Sequence, residues 1–314
     1  MSKLRCAVIG VGYLGRFHAQ KYSCMSNIDF VGVYDSYHPQ AQLVAEELNV
    51  NSFSSLEEVC RSADAVSIAT TTSAHFAVTK YCLEAGLHVL VEKPLTETIL
   101  EAQELINLAA AKKLTLQVGH LERYNPAFQA FLPCMEKIKL IEGQRLATFK
   151  KRGSDVDVIL DLMIHDLDLV WSLMKSEVVD IHAQGLSIIT HSTDVANVSL
   201  TFANGCVANL TASRVNSGLE RIMRIYQQDC FYALNFQQQS LMRFKPNHGA
   251  IHDQFLIAEE IACQKNDALN AQIHDFVNSV QNGAPVKVDG YAGFEVLNLA
   301  NKIQAIIEQE KSFG

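Results

Sequence analysis

The stretch LRCAVIGVGYLG, residues 4–15, sets a short apolar run directly before glycines at 10, 12 and 15. A helical pattern continues to about Ser23, and a second apolar run, Phe30 to Tyr34, ends at Asp35. Strand, glycine turn, helix, strand and acid follow one another as in a dinucleotide-binding unit. Gly10 permits the tight turn, Gly12 lets a pyrophosphate approach the backbone, and Gly15 lets helix and strand pack closely. The pyrophosphate is expected on the helix N-terminus, where free N–H groups and the helix dipole favour an anion. A carboxylate at Asp35 suits the ribose hydroxyls of NAD and repels the extra phosphate of NADP. Residues 36–40 contain no Arg or Lys to reverse that preference, so NAD is the expected cofactor.

Working outward, the pattern predicts a helix from about Pro39 to Leu48, a short strand near Val50 and a helix from Leu56 to Cys60. A strand over Ala65 to Ala69 leads into a polar turn, Thr70 to Ser73, and His75. A helix over Phe76 to Ala85, with Gly86 as its C-terminal cap, precedes a strand, Leu87 to Val91, that ends in Glu92-Lys93-Pro94. A helix over Ile99 to Lys112 and a strand over Thr115 to Gly119 complete the half. Strands alternating with helices imply a doubly wound parallel sheet, an α/β Rossmann domain whose ligands bind beyond the carboxyl ends of the strands. Asp35, the Thr70 turn and Lys93 should therefore share one edge. There Lys93 can reach the nicotinamide amide or lower the pKa of a substrate hydroxyl. The competing reading is a surface lysine paired with Glu92 or Glu97.

The segment DVILDLMIHDLDLVWSLM, Asp157 to Met174, is apolar on nearly every side when wound as a helix and is expected to be buried. One polar stripe runs along it: Asp157, Asp161, His165, Asp168 and Ser172, spaced to stack on one face. Buried carboxylates and an imidazole need partners, water or a ligand, which makes this helix the candidate floor of an active site. Taken alone, the stripe equally fits the solvent edge of a half-buried helix, with His165 bonded to Asp161. A helix over Pro126 to Leu140 and a strand over Gln144 to Lys151 are expected before it. After it come strand-like runs at Val178–Leu186, Val195–Phe202, Val207–Ser213, Ile222–Tyr226, Phe231–Phe236 and Leu241–Phe244, with a hairpin turn at Asn204-Gly205. Hairpins after one helix imply an α+β unit with an open, mostly antiparallel sheet. Helices are expected over Ile251–Cys263, Asn270–Gln281 and Phe294–Lys311. Arg123, Arg152 and Arg214 have the bidentate geometry that suits a sugar-nucleotide diphosphate; the same residues serve as ordinary structural arginines.

The 314 residues give room for two domains, and a composition of 48% hydrophobic and 19% charged residues is that of a soluble globular chain. The net charge of -8 argues against nucleic acid or an anionic membrane surface as the main partner. No apolar run approaches the length of a membrane span, and the N-terminal run is cut by glycines too early for a signal peptide. Eight cysteines lie scattered, without CxxC or zinc-finger spacing. The expectation is a cytoplasmic protein with reduced thiols and no metal.

The Glu92-Lys93-Pro94 triplet, the glycine fingerprint near residue 10, the Asp161-x-x-x-His165 pair and the segment Gly119 to Pro126 together resemble the glucose–fructose oxidoreductase/inositol dehydrogenase/MocA family over essentially the whole chain. Met163 stands where that family's Asp-x-Gly-x-His has glycine, and Thr71 where it has proline. The resemblance implies a Rossmann domain over 1–123 and a substrate-binding and oligomerisation domain over 124–314. It implies catalysis by Lys93, Asp161 and His165, with either Lys93 or His165 as the base. Cofactor contacts are expected at Gly10, Gly12, Tyr13, Leu14, Gly15, Asp35, Thr70, Thr71, His75, Glu92 and Lys93, and substrate contacts at Arg123, Tyr124, Asn125 and Arg152. Family members use the antiparallel sheet for oligomer contacts, so a homodimer or homotetramer is expected. GHLERYNPAF and DVILDLMIHDLDLV are most similar to family enzymes that oxidise the 3-hydroxyl of UDP-N-acetylglucosamine in making 3-amino-substituted lipid A. The alternatives are another polyol or sugar dehydrogenase, a reductase using NADPH, and a non-enzymatic nucleotide-binding redox sensor.

Overall fold

A computed structural model describes residues 3–150, 156–248 and 255–312. The chain opens with β1 (Leu4–Ile9), α1 (Tyr13–Ser23), β2 (Ile28–Tyr34), α2 (His38–Leu48), β3 (Asn51–Ser52), α3 (Leu56–Ser62), β4 (Ala65–Ile68), α4 (Thr72–Glu84), β5 (His88–Glu92), α5 (Ile99–Lys112) and β6 (Leu116–Gly119). The six strands form one parallel sheet in the order β3-β2-β1-β4-β5-β6. The order reverses between β1 and β4, the place where such sheets open a crevice for ligands. Register brings the strand ends level: Ile9 lies opposite both Tyr34 and Ile68, and Ile68 opposite Val91. The apolar strand residues are buried on both faces, as expected of a parallel sheet under helices.

A 3₁₀ turn at Leu121–Tyr124 leads to α6 (Pro126–Phe131) and β7 (Leu140–Leu146). A π-helical turn at Ile159–Met163 runs directly into α7 (Ile164–Met174). Then come β8 (Val178–Leu186), β9 (Val195–Phe202), β10 (Val207–Ser213), β11 (Glu220–Tyr226), β12 (Phe231–Asn235), β13 (Ser240–Pro246), β14 (Leu256–Ile261), α8 (Ala268–Asn282) and α9 (Gly290–Ser312). The second sheet has eight strands in the order β14-β13-β12-β11-β7-β10-β9-β8. It is open and antiparallel apart from the β7–β10 pair. Ile164, Leu167 and Val170 of α7 share one apolar core with the inward residues of β9 and β10, among them Val198, Leu200 and Leu210.

Four elements differ from the sequence expectation. The helix from Pro126 ends at Phe131, because Pro133 has no N–H to give and the chain tightens into a 3₁₀ turn at Leu132–Cys134. The strand expected over Gln144–Lys151 starts earlier, at Leu140; its inward positions are Ile141, Gly143 and Arg145, and the buried arginine masks the apolar alternation. The helix expected over Ile251–Cys263 is instead the edge strand β14 in its described part, residues 255–263. Pairing along β13, with Arg243 and Lys245 both on Glu259, overrides the local helical pattern. Residues 251–254 lie outside the described residues. In the first half, α4 begins at Thr72, so Ser73 and His75 are helical and not part of a turn.

The chain forms two compact units, one of residues 1–121 with 267–295, the other of 122–266 with 296–314. The expected boundary at 123/124 falls within two residues of the first crossing, but a single cut makes no provision for the return of 267–295 to the first unit. There Ile273, Phe276 and Val277 of α8 join the core formed by Val8, Ala19 and Tyr22. Among the described residues no helix is long and apolar enough to cross a membrane, and all eight cysteines are free thiols.

Candidate active site

In the first unit the turn after β1 is built from backbone. Gly10 sits at φ +79°, and a Cβ there would lie 2.8 Å from the Thr70 methyl and 2.9 Å from the Ala69 carbonyl. A Cβ on Gly15 would stand 1.7 Å from the Gly10 oxygen, so α1 approaches the turn only because that position is glycine. Gly12 faces open space, with no atom within 4 Å of where its Cβ would be. It is the N-cap of α1 and offers no capping side chain, and the first turn holds no acid. The helix therefore begins with uncapped N–H groups beside an open surface, which is what a pyrophosphate requires.

A cavity of about 460 Å³ adjoins this turn, lined among others by Gly12, Tyr13, Arg16, Asp35, Tyr37 and Gln40. The Asp35 carboxylate is held firmly: Val11 N–H donates to Oδ2 at 2.8 Å and Tyr37 N–H to Oδ1 at 2.9 Å. Each oxygen retains acceptor capacity toward the cavity, as a ribose diol needs. The residues present thus fit a bound dinucleotide. Asp35 is legible in the sequence as the acid directly after β2, whereas Arg16 on α1 joins the cavity only through the fold.

The strand end at β5 carries Glu92, Lys93 and a cis Lys93–Pro94 bond. Glu92 is buried and accepts from His18, Nε2 to Oε1 at 3.1 Å. Burial raises its carboxyl pKa, but the His18 hydrogen bond and the neighbouring charges of His18 and Lys93 outweigh this and hold it below the ordinary range. Gly119 is the reason it fits, since a Cβ there would meet Glu92 Oε1 at 2.5 Å. His75 is buried too, its Nδ1 2.8 Å from the Pro94 carbonyl oxygen, and burial lowers its pKa. Glu92 and His75, both expected at the cofactor, are buried on either side of the Lys93–Pro94 bond with these partners. Lys93 itself is half-buried, as are Leu14 and Thr70, while Tyr13 and Thr71 are exposed.

In the second unit the polar stripe of the central helix divides by task. Asp157 Oδ1 accepts from the N–H groups of Ile159 and Leu160, capping the entry to the π turn, and Oδ2 accepts from Gln304. Asp168 takes a bidentate pair from Arg123 at 2.7 and 2.8 Å. Ser172 donates to the Leu169 carbonyl. Asp161 lies in the π turn and His165 in the first turn of α7, both half-buried. π turns interrupt helices at functional positions more often than elsewhere.

Around the stripe lies a buried charge network that sequence reading missed. Arg145, 2% exposed, donates to both oxygens of Asp166 at 3.1 and 2.7 Å and to Glu122 at 2.8 Å. Burial pushes the Asp166 carboxyl upward against the opposing pull of Arg145. Asn125 donates to Glu122 and to the Phe236 carbonyl, and its oxygen caps α6. Arg123, Tyr124 and Asn125, expected at the substrate, are all buried, and Arg123 and Asn125 are engaged within the unit. Arg214 is likewise committed, to Asp194 through Nε and to the Val156 carbonyl through Nη1. Arg152 lies outside the described residues.

A Rossmann unit with an uncapped glycine turn and a fixed acid defines a dinucleotide-binding protein. The model of the oxidoreductase family with NAD-binding Rossmann fold matches residues 4–120, and that of the GFO/IDH/MocA C-terminal domain matches residues 141–229. The chain belongs to the Gfo/Idh/MocA family of NAD-binding oxidoreductases, enzymes acting on small molecules. It is 42% identical over 98% of its length to the UDP-N-acetylglucosamine 3-dehydrogenase of Acidithiobacillus ferrooxidans, and covers 98% of that protein. A solved structure of that enzyme superposes with a TM-score of 0.93, covering 98% of this chain and 99% of the other at 41% identity. The myo-inositol 2-dehydrogenase of Thermotoga maritima is 22% identical over 98% of both chains. A levoglucosan dehydrogenase in complex with NADH and L-sorbose shares the fold, with a TM-score of 0.87 at 17% identity over 99% of this chain and 98% of that one.

Proposed function

We propose that this chain oxidises the 3-hydroxyl of UDP-N-acetylglucosamine to a ketone, with NAD as hydride acceptor. The observation that carries the reading is the 42% identity, sustained over 98% of both chains, to an enzyme of that activity. The other family members named above are at or below 22% identity, which supports no shared substrate. NAD, when bound, accepts the hydride from the carbon bearing the hydroxyl. The chain's part is to remove the hydroxyl proton and stabilise the alkoxide as it forms. His165 takes that proton, since imidazole titrates near working pH. Asp161, one turn earlier, orients the ring and stabilises the imidazolium. Lys93, braced by the buried Glu92 and His75, places an ammonium where negative charge develops on oxygen. The products are the 3-keto sugar nucleotide, NADH and one proton. A ketone at that position suits an amino-transferring enzyme next, as in a lipid A precursor pathway, and both substrates are metabolites of the cytoplasm.

The open sheet of the second unit supports a homodimer or homotetramer. Tyr226, Phe231 and Phe244 stack on it as a half-buried ladder, with ring centroids 5.2 and 4.6 Å apart. The test of activity is NADH formation by the purified protein with NAD and UDP-N-acetylglucosamine, a carbonyl trap drawing the reaction forward, and inositol and glucose as controls. Turnover confined to the nucleotide sugar is expected. Turnover of inositol or glucose instead would overturn the substrate and leave the family standing.

A further inference from the structure

The NAD preference leaves one residue of the cofactor cavity without a task. Arg16, in the first turn of α1, lines the same cavity as Asp35 and is the one cation among its described lining residues. Its Nη2 lies 2.6 Å from Glu47 Oε2, and the two side chains are 46% and 31% exposed. Glu47 is shared, since its other oxygen accepts from Gln20 at 3.1 Å. A pair this exposed holds its arginine weakly, because water screens the attraction and two long side chains must be ordered to make it. A phosphate offers the guanidinium more charge and a bidentate set of acceptors. Asp35 is the opposite case, fixed by two backbone N–H groups.

The cavity therefore contains a rigid carboxylate that repels a ribose 2′-phosphate and a loosely held cation that would bind one. We infer that Arg16 is a preplaced ligand for the 2′-phosphate of NADP, silenced in this chain by Asp35. Acceptance of NADP then requires the loss of one carboxylate and the introduction of no new positive charge. Glu47 sets how freely Arg16 turns to the cavity. The inference concerns the cofactor site alone and stands whichever sugar is oxidised.

The test is direct binding of NAD and NADP, by calorimetry without sugar, to Asp35→Ser, Asp35→Ser/Arg16→Leu and Asp35→Ser/Glu47→Gln. Asp35→Ser should raise the ratio of NADP to NAD affinity by about tenfold or more. Adding Arg16→Leu should abolish that gain, and adding Glu47→Gln should enlarge it a few-fold. The serine removes acceptors from Val11 and Tyr37, so thermal melting checks each variant, and Asp35→Asn repeats the pair of measurements with the side-chain volume kept. NADP binding as tight in Asp35→Ser/Arg16→Leu as in Asp35→Ser alone would overturn the inference. So would two folded Asp35 variants with no gain in NADP affinity.

Discussion

The first unit makes its ligand edge from backbone, whereas the second makes the helix that carries Asp161 and His165 rigid with side chains. Gly10, Gly12 and Gly15 fall within six consecutive residues, and the acid that completes the site ends the next strand. In the second unit Arg145 reaches Asp166 across 21 positions and Glu122 across 23, and Arg123 reaches Asp168 across 45. The difference reflects what each must do. A pyrophosphate is bound by N–H groups that any sequence with the right turn supplies. The proposed base and its orienting acid would have to be held to a fraction of an ångström, and buried bidentate ion pairs on the same helix resist rotation and sliding.

The contrast can be tested from the largest expected effect downward. His165→Asn should lower kcat about 10²- to 10⁴-fold while the NAD dissociation constant, set in the other unit, stays within about twofold. A parallel loss of NAD affinity, measured by fluorescence titration, would break the division of labour. Arg145→Met should cost about 3–5 kcal/mol in urea denaturation, because Asp166 and Glu122 are left as buried, unpaired carboxylates. Replacing all three by Met, Leu and Met should recover most of that loss, and a triple variant that is stable yet slow would separate positioning from stability.

Asp194 provides the test by pH. Burial opposes its ionisation, but the N–H groups of Thr190, Ile189 and Ile188 and the Arg214 guanidinium prevail and hold its carboxyl far below the ordinary range. A folded pKa below the unfolded value of about 3.9 gives stability that is complete above that pH and is lost as pH falls further. Asp194→Asn should therefore cost about 3 kcal/mol at pH 7, and the gap to the parent protein should narrow in urea midpoints taken below about pH 4. A gap independent of pH would show that the carboxylate charge is not what the loop uses. Smallest is the capping box of α5, in which Thr98 Oγ1 accepts from Glu101 N–H and Glu101 accepts from Thr98 N–H. Thr98→Ala should cost about 1 kcal/mol with no change in kcat.

The same contrast explains what could be seen in the sequence. The order of the Rossmann elements, the edge shared by Asp35, Thr70 and Lys93, and the open antiparallel sheet were all legible, because each rests on a short pattern of apolar residues and turn glycines. The stripe from Asp157 to Ser172 was legible as a stripe, but not the division of tasks within it, since Asp168 is explained only by Arg123 and Asp157 by Gln304. Arg145 carried no signal at all: a lone arginine in a strand looks exposed until its two carboxylates are known. Strand β14 was misread because LIAEEI has no period that favours a strand over a helix, and only its partner β13 decides the matter. Arg16 carried no signal either, because an arginine on a helix looks solvated until the fold sets it beside Asp35 in one cavity.

The return of α8 to the first unit bears on how the protein is born. During synthesis the glycine turn and all six parallel strands have been made by residue 119, yet Ile273, Phe276 and Val277 emerge only after the whole second sheet has been made. Until then the face around Val8, Ala19 and Tyr22 lacks part of its apolar cover. The nascent nucleotide-binding unit must wait, partly undressed, while the whole second sheet is translated, and a chaperone that shields this face would act on the first unit long after its own strands are complete.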